Sequence, residues 1–384
     1  MSRRCALLLA LCLSGIAQAQ ELLGPQGALP VYHEALRERL SFSHGWRDGA
    51  DPVAWTRAGR AKARELMLPA GGDTTAIPFA PRLLAEQDRG RYIARRIALQ
   101  INRDSRVQAL LLVPKAAGPH PAALLLHDHG ARFDIGKEKL VWTWDDPARE
   151  AASAAWAARY FSGRLPGEQL AARGYVVLAV DALGWGQRGA AGFGYESQQA
   201  LAANLFNLGT SWAALIAGDD QRAAQFLAGL PEVDARRIAA VGFSMGAQRA
   251  WQLAALSEHI AATIAVNWMG TLEGLMRPGG NQLKGQSAFA MLHPGLARHF
   301  DYPDIAALAA PRAMLVYAGG RDPLFPPEAV EPALARLRAV WAAYGAGEQL
   351  QTRVWPEAAH EFNAAQQDAA FDWLDARFGV SPAR

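Results

Sequence analysis

"IAAVGFSMGAQRAWQLAAL", residues 238–256, divides at its centre. The apolar run Ile238–Val241 reads as a buried strand. The pattern from Gly246 to Leu256 reads as a helix. Between them stands Gly242-Phe243-Ser244-Met245-Gly246, a G-x-S-x-G motif. The five residues alone are a common coincidence. With a strand before them and a helix after them they predict a strained turn that exposes the serine Oγ. A side chain at either glycine would crowd such a turn.

A serine hydroxyl is a weak nucleophile without a base. A histidine can take the proton and return it near neutral pH, and an acid must orient the ring. His360 follows a short apolar run in "VWPEAAHEF", and Asp322 follows another in "LVYAGGRDPLF". The order Ser244, Asp322, His360 matches the α/β-hydrolase order. Glu328 is the local rival acid but lies farther from the strand end. The other histidines precede Ser244 or fall in loops, as His293 and His299 do.

Working outward, there are six short buried runs, most of them continuously apolar: Ala122–Gly130, Tyr175–Gly184, Arg237–Ser244, Ala262–Trp268, Ala313–Gly320 and Thr352–Pro356. Strands buried on both faces read this way. Helical patterns lie between them, at Gly167–Arg173, Ser211–Leu230, Gly246–Leu256, Ala329–Tyr344 and Gln366–Phe378. The turn signal "NRDS" joins "YIARRIALQI" to "VQALLLVP" as a hairpin. The alternation predicts an α/β domain with a doubly wound, mostly parallel sheet and helices on both faces. Functional groups should gather past the carboxyl ends of its strands.

A tetrahedral intermediate also needs donors for its oxyanion. Met245, after the nucleophile, supplies one N–H. "LLLHDHGARFD" supplies the second, with the Ala131 N–H as first choice and Gly130 as the fallback. His127-x-His129 with Asp128 has metal-pair spacing, but no third and fourth ligand stands nearby, so no metal or other cofactor is expected.

The 384-residue chain is 51% hydrophobic and 20% charged, an ordinary globular composition. Its first residues read as a secretory signal. Arg3 and Arg4 precede an apolar stretch from Cys5 to Ile16, too short to span a bilayer, and Ala17-Gln18-Ala19 is a cleavage site. Sec export fits better than a twin-arginine signal, and Leu11 before Cys12 argues against a lipoprotein. The mature protein is expected to start at Gln20 and to be periplasmic or secreted. Both cysteines lie in the signal, which excludes a cysteine nucleophile, a disulfide and a thiolate metal site in the mature chain. Its net charge falls from +3 to +1 once Arg3 and Arg4 are removed, so nucleic acid is not an expected partner. No later apolar run has spanning length. Residues 20–91 read as an N-terminal arm with one helix, Pro52–Leu68, and residues 92–384 as the catalytic domain.

The motifs "LLLHDHGARFDIGKEK", "LAARGYVVLAVDALGWGQRG", "LPEVDARRIAAVGFSMG", "FDYPDIAALAAPRAMLVYAGGRDPLF" and "AAHEFNAAQQDAAFDWL" resemble an α/β-hydrolase of the dienelactone hydrolase superfamily. Within it, the chain resembles the branch that contains acetyl xylan esterases and related bacterial esterase-like proteins. The resemblance covers about Tyr92 to Phe378. It implies an eight-stranded sheet with one antiparallel strand near its start, and a Ser–Asp–His ester hydrolase whose substrates include acyl esters of carbohydrates. Dienelactone hydrolases proper use cysteine where this chain has Ser244. Acetyl xylan esterases place tyrosine after His-Gly, where this chain has Ala131.

Substrate-facing candidates are Trp142 in the insert at residues 132–164, Trp185 and Arg188 in "DALGWGQRG", and Trp268 in "VNWMG". Each has a plain alternative. The insert aromatics Trp142, Trp144, Trp156, Tyr160 and Phe161 fill cores as readily as pockets. Arg188 can pair with an acid such as Glu196, and Asp181 is expected to hold its loop. Lys137 and Lys139 suit an acidic substrate, but a solvated loop with Glu138 is the expected reading. Two other functions share the frame. A serine peptidase of the prolyl-oligopeptidase type would need a propeller, which the residues before the sheet are too few to build. A binding protein on a hydrolase scaffold would need no intact triad.

Overall fold

A computed structural model describes residues 30–69, 77–190, 192–278, 280–282 and 289–380. The signal segment 1–19 with both cysteines, the expected mature start at Gln20 and the first residues of the arm lie outside the described residues.

Among the described residues nine strands form one sheet. They are β1 (Arg82–Asp88), β2 (Tyr92–Gln100), β3 (Arg106–Pro114), β4 (His120–Leu126), β5 (Val176–Val180), β6 (Val233–Phe243), β7 (Ala262–Val266), β8 (Ala313–Gly319) and β9 (Leu350–Trp355). Their order is β1-β2-β3-β5-β4-β6-β7-β8-β9. From β5 to β9 every pair is parallel, while β1 to β3 join the sheet through antiparallel pairs.

The helices are α1 (Pro30–Glu38), α2 (Pro52–Met67), α3 (Pro147–Tyr160), α4 (Pro166–Ala172), α5 (Ser197–Asn207), α6 (Trp212–Ala228), α7 (Met245–Leu256), α8 (Leu272–Leu275), α9 (Tyr302–Ala307), α10 (Pro327–Ala343) and α11 (Ala364–Phe378). Among the described residues no single helix is long and apolar enough to cross a membrane.

The apolar runs become the central strands for the reason their composition gives. β4, β5 and β7 are buried along their whole length, so both faces need apolar side chains. Two clusters result, one on each face, as in a doubly wound sheet. The "NRDS" turn closes the β2–β3 hairpin, where the Asn102 side chain accepts from the Asp104 N–H at 3.0 Å.

The expected count of eight strands is corrected to nine. The added strand, β1, comes from the segment read as arm. Its outward positions carry Arg82, Glu86 and Asp88, which suits a solvated edge and hid it among polar residues. Among the described residues of the arm, α2 packs on the domain. A Cβ on Gly59 would lie 2.5 Å from Leu308, and the Arg60 Nε donates to the Leu308 carbonyl at 3.0 Å. All parallel strands point the same way, so the segments after β4, β6, β8 and β9 meet along one rim.

Candidate active site

The turn between β6 and α7 is dictated by backbone contacts. A Cβ on Gly242 would sit 2.0 Å from the Gly246 carbonyl oxygen, and one on Gly246 would sit 1.9 Å from the Leu126 carbonyl oxygen. Backbone atoms cannot yield, so both positions require glycine. Ser244 between them has φ +55° and ψ −128°, a conformation that costs a non-glycine residue on the order of 1–3 kcal/mol. Its N–H donates to the Val266 carbonyl at 2.9 Å, which ties the turn to β7.

The Ser244 Oγ lies 2.9 Å from the His360 Nε2, and the His360 Nδ1 lies 2.7 Å from the Asp322 Oδ2. The carboxylate is buried and its other oxygen accepts from the Leu324 N–H at 2.9 Å. Asp322 can therefore accept a hydrogen bond from the His360 Nδ1–H, which leaves the Nε2 lone pair for the serine hydroxyl. Phe325 stacks on the imidazole with rings 15° apart, and Phe243 lies 4.9 Å away centroid to centroid.

Two further features hold the histidine. Gly319 and Gly320 let the Asp322 loop lie against the His360 loop, since a Cβ on either would fall within 2.7 Å of a carbonyl oxygen of Ala359 or Pro356. Asn267, also at positive φ, donates its amide to the Ala359 and Glu361 carbonyls, both at 2.9 Å. It thus clamps the main chain on both sides of His360. Asn267 belongs to none of the motifs in the sequence. Its only signal is its position as the first residue after a buried strand.

The loop after β4 corrects one expectation. The Ala131 N–H is engaged by the His129 Nδ1 at 2.9 Å and is not free for an oxyanion. The N–H groups of His129 and Gly130 have no acceptor among the described residues. Gly130, the fallback, is therefore the available donor of the two residues proposed from sequence. Met245 opens α7 and its N–H has no intrahelical acceptor. The Gly246–Leu126 contact brings these two donor groups' segments together.

Both histidines of the loop are structural. The His127 Nε2 accepts from the Ala182 N–H and its Nδ1 donates to the Asp128 carbonyl, each at 2.9 Å. The His129 Nε2 donates to the Gln198 Oε1 at 2.9 Å. Each ring's lone pair already serves a backbone N–H, which leaves no donor atom for a metal. Burial holds the His127 pKa well below its ordinary value and brings that of His129 down to about 4.

The lysines are the largest correction. Lys137 and Lys139 are buried, against the solvated-loop expectation and against contact with an acidic substrate. The Lys137 Nζ lies 2.7 Å from the Asp181 Oδ2 and 2.9 Å from the Glu138 Oε1. Burial opposes this charge, but the two carboxylates hold the Lys137 pKa above its ordinary value. Asp181 holds its loop as expected, accepting also from the Lys137 and Gln187 N–H groups. The Lys139 Nζ donates to the Asp128 and His129 carbonyls at 2.9 Å each.

The substrate-facing candidates also move. Trp185 is fully buried, stacks on Trp212 and donates to the His129 carbonyl, so it supports the loop rather than lining a pocket. Trp268 is buried beneath Phe325. The Arg188 guanidinium pairs with Asp219 at 2.7 Å, not with Glu196 or a free carboxylate. Trp142 lies with Arg89, Arg164 and Glu168 in a separate cleft of about 380 Å³, whose lining includes no member of the Ser244–His360–Asp322 chain. Of the insert aromatics, Trp144, Trp156 and Phe161 belong to the core. Tyr160 is half-buried and packs against Trp156 and Phe243.

Comparison with known proteins gives a consistent picture. Residues 162–377 match the model of the dienelactone hydrolase family. The chain is 29% identical over 291 residues to the "Putative hydrolase YtaP" of Bacillus subtilis (strain 168), covering 75% of this chain and 90% of that one. A glucuronoyl esterase from Solibacter usitatus superposes with a TM-score of 0.64 at 16% identity, covering 88% of this chain and 98% of that one. A "putative acetyl xylan esterase" from Bacteroides fragilis NCTC 9343 superposes with a TM-score of 0.63 at 19% identity, covering 85% and 81%. At these identities the two structures speak for the fold.

Proposed function

The chain belongs to the dienelactone hydrolase family, and from that premise we propose that it is an exported serine hydrolase of carboxylic esters, with acyl esters of carbohydrates as its substrate class. The observation that carries the reading is the hydrogen-bonded chain from the Ser244 Oγ through His360 to Asp322. The esterase folds of its structural neighbours support the substrate class, and the leader-like first residues support export.

In this mechanism the Ser244 Oγ attacks the ester carbonyl carbon while its proton passes to the His360 Nε2. The N–H groups of Met245 and Gly130 receive the oxyanion. Collapse breaks the bond to the alcohol, and the His360 proton goes to the departing oxygen. Water then attacks the acyl-serine, giving its proton to the same Nε2. The second collapse returns that proton to the Ser244 Oγ and releases the acid. Asp322 keeps the ring oriented and stabilises its charged form in both halves.

The test is hydrolysis of p-nitrophenyl acetate and acetylated xylan by the wild type and by Ser244→Ala. The variant should lose about 10⁴–10⁶-fold in kcat on both. Full retained activity would end this mechanism. Wild-type activity confined to the nitrophenyl ester would end the carbohydrate assignment alone.

A further inference from the structure

We infer that Lys139, a buried cation remote in sequence from the triad, is the positioning residue of the oxyanion site. The inference rests on the serine-hydrolase reading above and adds to it what holds the second half of the site in place.

The argument starts from the peptide plane. In a trans peptide the carbonyl of one residue and the N–H of the next point in opposite directions. The Lys139 Nζ is 2.9 Å from both the Asp128 and the His129 carbonyl oxygens. Both carbonyls therefore face the ammonium, and the N–H groups of His129 and Gly130 face away from it. Those two N–H groups have no acceptor among the described residues. An unpaired main-chain donor is uncommon at a residue as buried as His129. Two in succession with a shared direction form an anion cradle.

The surroundings fix the lysine in turn. Its Nζ lies 4.8 Å from the centroid of the Trp156 ring and 3.5 Å from the Asp128 Oδ2. The Trp156 Nε1 donates to the other oxygen of Asp128 at 3.1 Å. The neighbouring carbonyl of His127 is held by Arg249, itself paired with Asp220, and Trp185 adds a second donor to the His129 carbonyl. Burying an ammonium is costly, and burial draws the Lys139 pKa below its ordinary value while Asp128 opposes the shift. An apolar side chain could fill this volume. It could not orient two carbonyls, and it would place no positive charge behind the peptide whose Gly130 N–H meets the oxyanion.

The test compares wild type, Lys139→Met and Ser244→Ala in the full chain, with p-nitrophenyl acetate as substrate. The kcat of wild type and of Lys139→Met is expressed per active site titrated with a fluorophosphonate, and that of Ser244→Ala, which offers no such site, per mole of protein. Lys139→Met keeps the length of the side chain and removes the donors. Its kcat should fall about 10²-fold with KM within about twofold, the signature of an interaction made in the transition state. A role confined to folding would lower the titratable fraction and leave kcat per site unchanged, which would overturn the inference. If Lys139→Met does not fold, Lys139→Gln takes its place, a shorter side chain that removes the charge and keeps a neutral donor. A severalfold fall in kcat at constant KM then supports the inference, and an unchanged kcat overturns it. An active Ser244→Ala would defeat the nucleophile assignment instead. An inactive Ser244→Ala beside an unaffected Lys139→Met would defeat only the role of Lys139.

Discussion

The two halves of the site are built on opposite principles. Around Ser244 the chain is held by backbone. Glycines pack onto carbonyl oxygens, one strand-end N–H meets the next strand, and polar side chains are few. Around the loop after β4 it is held by buried charge. Lys137, Lys139 and Arg249 meet Asp181, Asp128 and Asp220, and three successive carbonyls are taken by cations. In the proposed mechanism the nucleophile half must hold one atom in a strained place, which steric contact does well. The proposed oxyanion half must aim N–H groups, which requires something to hold the carbonyls behind them.

The largest effect that would sharpen this contrast is in the nucleophile half. Asp322→Asn keeps the shape of the side chain but can donate its amide to the Nδ1, favouring the wrong tautomer of His360. Steady-state kinetics should show kcat lower by about 10⁴-fold with the melting temperature nearly unchanged. A loss below tenfold would mean that another group orients the ring.

Asn267→Ala should cost less. Removing the clamp on the Ala359 and Glu361 carbonyls frees the loop that carries His360, and kcat should fall about tenfold at constant KM. An unchanged kcat would mean that Asp322 and the glycine contacts suffice.

The smallest effect concerns the oxyanion half and acid. His129 is buried neutral, with its folded pKa near 4 below an unfolded value near 6.5. The unfolded chain binds the extra proton first. The contribution of His129 to stability is therefore complete above the unfolded value and is lost as pH falls toward the folded one. The loss is about 1.4 kcal/mol per pH unit across that window. In His129→Asn the side-chain oxygen can still accept from the Ala131 N–H, but it does not titrate. Chemical denaturation between about pH 7 and about pH 5 should show a shallower loss for the variant than for wild type. Equal slopes would show that His129 does not remain neutral in the fold.

The same contrast explains what the sequence made legible. The parallel sheet, the elbow, Asp322 and His360 could be read because each lies at a strand end and carries a local signal. β1 could not, because an edge strand with charged outer positions resembles a polar arm. Lys137 and Lys139 could not either. A Lys-Glu-Lys run reads as solvated unless its partners are known, and Asp128 and Asp181 reach it only through the fold. Trp185 and Trp268 sit near strand ends, as binding residues often do, yet they pack beneath the loops that face the site.

The most direct test of the account is covalent. Incubate the full chain with a fluorophosphonate and locate the adduct by peptide mass spectrometry. The account predicts one phosphonyl group on the peptide carrying Ser244, and none on Ser244→Ala. Ester hydrolysis by a protein that takes no label at Ser244, or equal labelling of Ser244→Ala, would contradict it.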